Sequence, residues 1–506
     1  MLFDVRFVVD SIVERVIRAI HLGVMVGVSV VAPQYNPADQ IKGTFQAFSV
    51  ILCISRLVLA IQYGLTIFRE PVADKKTRLG LQIMVGTHLV AALVYMGITF
   101  RFTDSKDSRV FVTWYIMGFV ETVLIFAVST YFDKLGFRRS ALPERMKTVT
   151  LLILGEGVIV VADHVGKVVE NHGSWTSATV GVLTATVSLI YLIFQIYFDW
   201  AWPAMALTEK FQHTEGFFLY SWSLLHVPFH LCLVLLMEGA AQFVVWWKIV
   251  EKMQFVSTEF FNTWDRAVNH PAAGTSHNIS AELALRLNET VYDIWRFYKP
   301  DLFVTIHHVD GLIRNLSQTP DDFWTPDRPG HSHYDTFTDA LKALKVTVYN
   351  SILQNFGIEE INDDGWRDDP ATYEEHAFEE ASNRFKLVYI YVFCVAGGAL
   401  ILMGLLNIFS RPNHPGLRRT VFQRIVVAIN IALGCGLMLL STMATGDARQ
   451  RFDTSPWINP VMVLIFFVAL VLVHMTRSYG LPDESKPGGK GAVTVVKESA
   501  EDMGTN

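Results

Sequence analysis

Residues 457–477, WINPVMVLIFFVALVLVHMTR, form an apolar run long enough to cross a lipid bilayer as one helix. An α-helix rises ~1.5 Å per residue, so about 20 apolar residues cover the ~30 Å of hydrocarbon in a bilayer. The run is continuously apolar and does not alternate between apolar and polar residues, as the strand of a membrane barrel would. It therefore predicts a transmembrane helix.

Similar apolar runs recur along the whole 506-residue chain. Only 18% of the residues are charged, whereas soluble domains have about a quarter. Because a helix satisfies its own backbone hydrogen bonds in lipid, these runs predict an all-α fold, a polytopic transmembrane helix bundle of about ten spans. The other nine spans are predicted at residues 14–33, 44–68, 79–101, 110–132, 148–168, 176–199, 217–247, 385–409 and 421–443.

The stretch between the seventh and eighth spans has a different composition. Charged residues, Pro, Gly, Asn and His become frequent there, and residues 281–298 and 336–356 keep a helical periodicity. We therefore predict one large, mostly helical exterior loop. The predicted divisions are a first bundle of about seven spans (1–247), an extracytoplasmic loop module (248–384), a second group of three spans (385–477) and a disordered cytosolic tail (478–506).

Two signals agree on the orientation of the chain. Clusters of Lys and Arg follow spans two, four, eight and ten, and the positive-inside rule places these ends in the cytosol. The loop on the opposite side carries three N-x-S/T sequons, at Asn278, Asn288 and Asn315, which only an exterior or lumenal segment can use. We therefore expect both termini of this sequence in the cytosol, the loop outside, and passage through the secretory route.

Ionisable side chains inside the apolar runs are the candidates for function, because a charge in hydrocarbon costs a few kcal/mol and is rarely kept without a role. One interpretation is that they form ion pairs that fix helix packing, with a bridge between Arg56 and Glu156 as a candidate. The other is a pathway for protons, cations or small solutes. The candidates are Arg56, Glu121, Glu156, His226, His230 and Glu238.

The two histidines of span seven share one helix face. His226 and His230 are four residues apart, with the helix-distorting Pro228 between them. Glu238 lies about two turns further on, offset by ~80° from His230. Hydrogen bonds to neighbouring helices, a proton relay and a metal site all remain open, since metal binding needs further ligands that the spacing does not identify.

Several stretches resemble the low-temperature-requirement A (LtrA) family in its longer fungal-type form. They are LFDVRFVVDS at 2–11, HLGVMVGVSVV at 21–31, SRLVLAIQY at 55–63, TVTLLILGEGVIVV at 148–161 and LLHVPFHLCLVLLMEGAAQF at 224–243. Members of the family usually begin with a further helix bearing an E-x-F-F-D element, which this sequence lacks. The resemblance implies a multi-pass membrane protein and marks the same intramembrane residues, without assigning them a chemistry.

The residues favour a transporter or channel-like protein for a proton, cation or small solute. Nothing in the sequence resembles a phosphate-binding loop, a nucleophile elbow or a zinc-protease motif, so we expect no enzyme activity and no cofactor. The alternatives are a non-catalytic membrane adaptation or scaffold protein and a membrane-embedded, metal-dependent enzyme. The expected partners are the lipid bilayer and an ion or small solute, and the net charge of −6 gives no reason to expect nucleic acid.

Overall fold

The structure is a computed structural model, and it describes most of the chain up to residue 479. The described residues are 3, 7, 11–37, 40–69, 75–102, 109–132, 135–136, 142–170, 175–201, 216–269, 278–300, 303–324, 331–358, 370–410, 421–442 and 454–479. The predicted cytosolic tail lies outside them from residue 480 onward.

All regular structure in these residues is helical. The first six α-helices are α1 (Ile12–Val31), α2 (Lys42–Arg69), α3 (Lys75–Thr99), α4 (Val112–Tyr131), α5 (Leu142–Val169) and α6 (Ser177–Ile196). Seven more follow: α7 (Gly216–Val268), α8 (Ile279–Trp295), α9 (Phe303–Ser317), α10 (His331–Asn355), α11 (Pro370–Phe409), α12 (Val421–Thr442) and α13 (Ile458–Tyr479).

Ten of the helices in the described residues are long and apolar enough to cross a membrane. They are α1 to α7 and α11 to α13, which correspond one to one with the predicted spans. The predicted fold class, an all-α polytopic bundle with a helical insertion between the seventh and eighth spans, is therefore confirmed. The insertion also contains α9, a helix that the periodicity does not predict.

Two helices continue well beyond the predicted spans. Helix α7 ends at Val268 and not at residue 247, and α11 begins at Pro370 and not at residue 385. Residues 248–268 contain neither Gly nor Pro, the two residues that most disfavour a helix. The helix therefore continues past residue 247, where the apolar span was predicted to end. The predicted boundaries at 247/248 and 384/385 therefore fall inside continuous helices.

The chain divides into two compact units. The first contains residues 1–149, 204–226 and 409–417. In it, α2 packs against α1 and α3, and α3 packs against α4. Two buried apolar clusters hold these helices, one around Tyr63, Met84 and Val128 and the other around Cys53, Tyr95 and Trp114.

The second unit contains residues 150–203, 227–408 and 418–506. Here α13 packs against α6 and α12, while α9 packs against α8 and α10. The buried amide of Asn459 on α13 donates to Thr186 Oγ1 at 2.6 Å and to the Ala240 carbonyl at 3.0 Å, which ties α13 to α6 and α7. Gly397 and Gly434 bring α11 and α12 into backbone contact, because a Cβ on either residue would meet the other's carbonyl oxygen.

Candidate functional site

A buried carboxylate joins three helices of the first unit. The Arg56 Nε on α2 donates to Glu121 Oε2 on α4 at 2.7 Å, and the His88 Nδ1 on α3 donates to Glu121 Oε1, also at 2.7 Å. The side chains of His88 and Glu121 are only 2% and 5% exposed, and that of Arg56 is 23% exposed. We call these three residues the Arg56–His88–Glu121 triad.

The triad lies at the middle of each helix that contributes to it. Arg56, His88 and Glu121 are all close to the midpoints of α2, α3 and α4. The apolar cluster around Tyr63 and Met84 flanks the triad on one side, and the cluster around Trp114 flanks it on the other. The helices therefore place this charged group near the middle of the bilayer, where an unpaired charge would be most costly.

The environment of His88 limits how the imidazole can move. The Tyr63 ring stacks on it with centroids 5.5 Å apart and an interplanar angle of 19°. One ring nitrogen of His88 is held by Glu121, so the other remains the nitrogen that can exchange a proton with another group. The guanidinium of Arg56 carries a permanent positive charge, which the Glu121 carboxylate neutralises.

A second polar group lies near the amino-terminal helix. The Gln62 amide on α2 donates to Glu14 Oε2 at 3.1 Å, and its Oε1 lies 3.2 Å from His21 Nε2. Glu14 and Gln62 are both buried. Since six residues of helix rise ~9 Å, this group lies about two turns along α2 from Arg56.

Arg56 and Glu156, which the sequence suggested as an ion pair, lie in different units. Arg56 is paired with Glu121, and Glu156 lies on an exposed face of α5. Of the two glycines beside it, Gly157 faces Met237 of α7 at a distance that leaves no room for a Cβ, whereas Gly155 has nothing within 4 Å. The L-G-E-G motif therefore uses its second glycine for helix packing.

The two span-seven histidines have different partners. The buried His226 donates from Nδ1 to the Trp222 carbonyl at 2.9 Å, and His230 Nε2 lies 2.8 Å from Thr150 Oγ1 on α5. Glu238 accepts a hydrogen bond from Gln242 on its own helix at 2.8 Å. His226 belongs to the first unit, while His230 and Glu238 belong to the second.

Metal binding by the histidine pair receives no support from the arrangement. Among the residues that the structure describes, no three His, Cys, Asp or Glu side chains are grouped so that they could hold a metal ion.

The three sequons differ in exposure. Asn278 and Asn315 are exposed, and Asn288 is half-buried within α8. Asn278 also caps α8, because its Oδ1 accepts the Ala281 backbone N–H at 3.0 Å. Glycosylation stays a prediction, and the exposed sites favour it at Asn278 and Asn315.

In the part of the chain that the structure describes, ten apolar helices of bilayer length, three of them joined by a paired charge at mid-span, define a polytopic α-helical integral membrane protein. The family model described as "Bacterial low temperature requirement A protein (LtrA)" matches residues 6–253, which include α1 to α6 and most of α7. Over this region the chain belongs to the LtrA family. Comparison with curated proteins and with solved structures gave no match.

Proposed function

We propose that this LtrA-family protein moves protons across the membrane, using the Arg56–His88–Glu121 triad as the relay at mid-span. The observation that carries the proposal is the Glu121 carboxylate, held at 2.7 Å by both a permanent cation and an imidazole. Glu156, His230 and Glu238 belong to the second unit, and the proposal rests on the triad of the first unit alone.

The chemistry follows from the hydrogen bond between His88 and Glu121. A proton that reaches Nε2 of His88 makes the imidazole cationic, and the proton on Nδ1 can then pass to Glu121 Oε1 along the 2.7 Å contact. Loss of that proton from the carboxyl leaves His88 as its Nε2–H tautomer, and the cycle closes when the imidazole returns to the Nδ1–H tautomer. Arg56 supports this cycle because its charge offsets the carboxylate in the low-dielectric interior.

The polar group formed by Glu14, Gln62 and His21 supports a polar route on one side of the triad. It contains a second carboxylate and a second imidazole, joined through the Gln62 amide at 3.1 and 3.2 Å. Ionisable groups placed in series along a transmembrane bundle are typical of proton relays in membrane proteins.

Proton flux into liposomes containing the full chain tests the proposal. Vesicles loaded with potassium and a pH-sensitive dye are given valinomycin, and the internal acidification driven by the potassium gradient is recorded. We expect flux from the unaltered protein and a loss of about a hundredfold or more in Glu121→Gln, consistent with the usual size of a positioned acid–base effect. Glu144→Gln, which changes an exposed carboxylate in the same way, is the matched control.

The outcomes separate a relay from a packing role. Glu121→Gln removes the charge that offsets Arg56 in a buried site, which lowers stability, so flux is recorded below the temperature at which each variant unfolds. Flux that survives in Glu121→Gln at the level of Glu144→Gln would overturn the proposal. No flux from the unaltered protein above that of empty vesicles would overturn it as well.

A further inference from the structure

A groove of about 730 Å³ lies in the second unit, between the carboxyl-terminal part of α7 and the end of α8. Its walls contain both signs of charge together with aromatic rings. Phe255 and Phe297 are 55% and 46% exposed, and Tyr298 is buried. Partly exposed aromatic rings among charged groups are typical of a binding site for a small polar molecule.

Two contacts fix the register of the groove walls. Thr263 Oγ1 of α7 lies 3.1 Å from Thr290 Oγ1 of α8, and Lys252 Nζ lies 5.9 Å from the centre of the Tyr298 ring. From the first contact to the second, residue numbers fall along α7 and rise along the segment that contains α8. The two walls of the groove therefore run antiparallel. Glu259, four residues before Thr263, then lies level with Asp293.

This register separates the charges along the groove. Lys252 and Arg296 lie at one end, Glu259 and Asp293 follow, and Arg266 and Glu289 lie at the far end. Arg286 also lines the far end, but its guanidinium is already bound by Glu282 at 2.8 and 3.0 Å. A ligand therefore meets cations first and carboxylates second as it extends along α7 from Lys252.

The end with Lys252 is the one closer to the membrane. Helix α7 has 53 residues, far more than the ~20 that cross a bilayer. The apolar run of α7 ends at Trp246 and Trp247, followed by Lys248, and this sequence pattern places the expected headgroup level here. Lys248 is fully buried and donates to Glu251 at 2.7 Å, and Lys252 lies one turn further from the hydrocarbon.

We propose that this groove binds a phosphoammonium group, with the phosphate at Lys252 and Arg296 and the ammonium at Glu259 and Asp293. The order of charges matches a zwitterionic phospholipid headgroup, whose phosphate is nearer the hydrocarbon than its ammonium. A soluble phosphoammonium compound has the same chemistry and fits the same contacts. Phe255 and Phe297 add cation–π contacts to the ammonium.

Binding of phosphoethanolamine to the purified full chain in detergent tests the soluble form of the ligand. Isothermal calorimetry compares it with glycerol phosphate, which lacks the ammonium, and with ethanolamine, which lacks the phosphate. For the lipid form, native mass spectrometry records the phosphatidylethanolamine retained from nanodiscs, with phosphatidylglycerol as the comparison.

The variants Lys252→Met and Glu259→Gln each remove one charge from the groove. We expect each to weaken binding of the zwitterion by about tenfold or more, as for the loss of one charge-assisted hydrogen bond. The controls are Lys345→Met, which removes a lysine placed 5.5 Å over the Tyr349 ring outside the groove, and Glu380→Gln on an exposed face of α11.

Each result has a defined meaning. Binding of the lipid alone, of the soluble compound alone, or of both supports the proposal and identifies the source of the headgroup. The proposal fails if neither form binds, or if the single-charge compounds bind as tightly as the zwitterion. It also fails if the groove variants and their controls bind alike while all four unfold at the same temperature. None of these results depends on proton flux.

Discussion

Removing the Glu121 carboxylate should destabilise the first unit far more than removing an exposed carboxylate with an equally short ion pair. Glu121→Ala leaves the donors of Arg56 and His88 without their acceptor in a site where the carboxylate is 5% exposed. Breaking a buried ion pair costs about 3–5 kcal/mol. Arg56 is 23% exposed and regains some solvation, so we expect roughly 3 kcal/mol.

A double-mutant cycle isolates the interaction between the two charges. Glu121→Ala, Arg56→Met and the double variant are compared with the unaltered protein by reversible unfolding in mixed micelles. The double variant removes both charges, so its loss of stability should be smaller than the sum of the single losses by about 1–3 kcal/mol.

The surface pair formed by Lys342 and Glu375 provides the matched control. Its contact is 2.6 Å long, but its side chains are 63% and 59% exposed. Because water screens such a pair, the same cycle on Lys342→Met and Glu375→Ala should give no measurable coupling. Equal coupling in the two cycles would refute the argument that burial gives the triad its strength. So would a Glu121→Ala protein as stable as Glu375→Ala.

Three further predictions concern other parts of the chain. Gly157→Leu should destabilise the protein by about 1–3 kcal/mol because the new side chain overlaps Met237. Thermal unfolding of Gly155→Leu should be nearly unchanged. Equal losses would contradict the assignment of Gly157 as the glycine that packs against α7. Asn288→Gln should leave the glycan-dependent gel shift unchanged, while the same change at either exposed sequon should remove one glycan; a shift lost with Asn288 would contradict the prediction. Burial and the nearby Glu251 carboxylate raise the pKa of Tyr298 to about 12 from 10.0, so its contribution to stability is complete below pH 10 and disappears as the pH rises through about 12. Tyr298→Phe should remove that alkaline loss in a pH series of thermal melts, and an unchanged series would contradict the pKa.

The number and order of the spans could be predicted because the length of an apolar run depends only on local sequence. The ends of α7 and α11 could not, since a helix continues across the membrane surface whenever its residues permit. Helix α9 was missed for a different reason. Its sequence, FVTIHHVDGLIRNLS, contains Gly311 and several β-branched residues, so packing against α8 and α10 determines its conformation more than propensity does.

The candidate site shows the same division between local and non-local information. Arg56 and Glu121 stand out in the sequence because charges are rare in apolar runs. Their pairing depends on which faces of α2, α3 and α4 meet, and that follows from the packing of many apolar side chains. His88 also stands in an apolar run, but nothing local to it indicates that it shares a carboxylate with Arg56.

Because α7 is long, a small tilt at one point of the helix displaces its far end by several ångströms. Gly239 fits against α11 so closely that the side chain of Val392 occupies the place of a Cβ, and Arg266 stands 27 residues further along the same rod. Those residues rise about 40 Å, so a tilt of about 10° around Gly239 swings Arg266 through about 7 Å. A molecule that displaces α7 at Arg266 must therefore tilt the helix at its contact with α11 near Gly239. In the same way, a small tilt at Gly239 produces a larger displacement at Arg266.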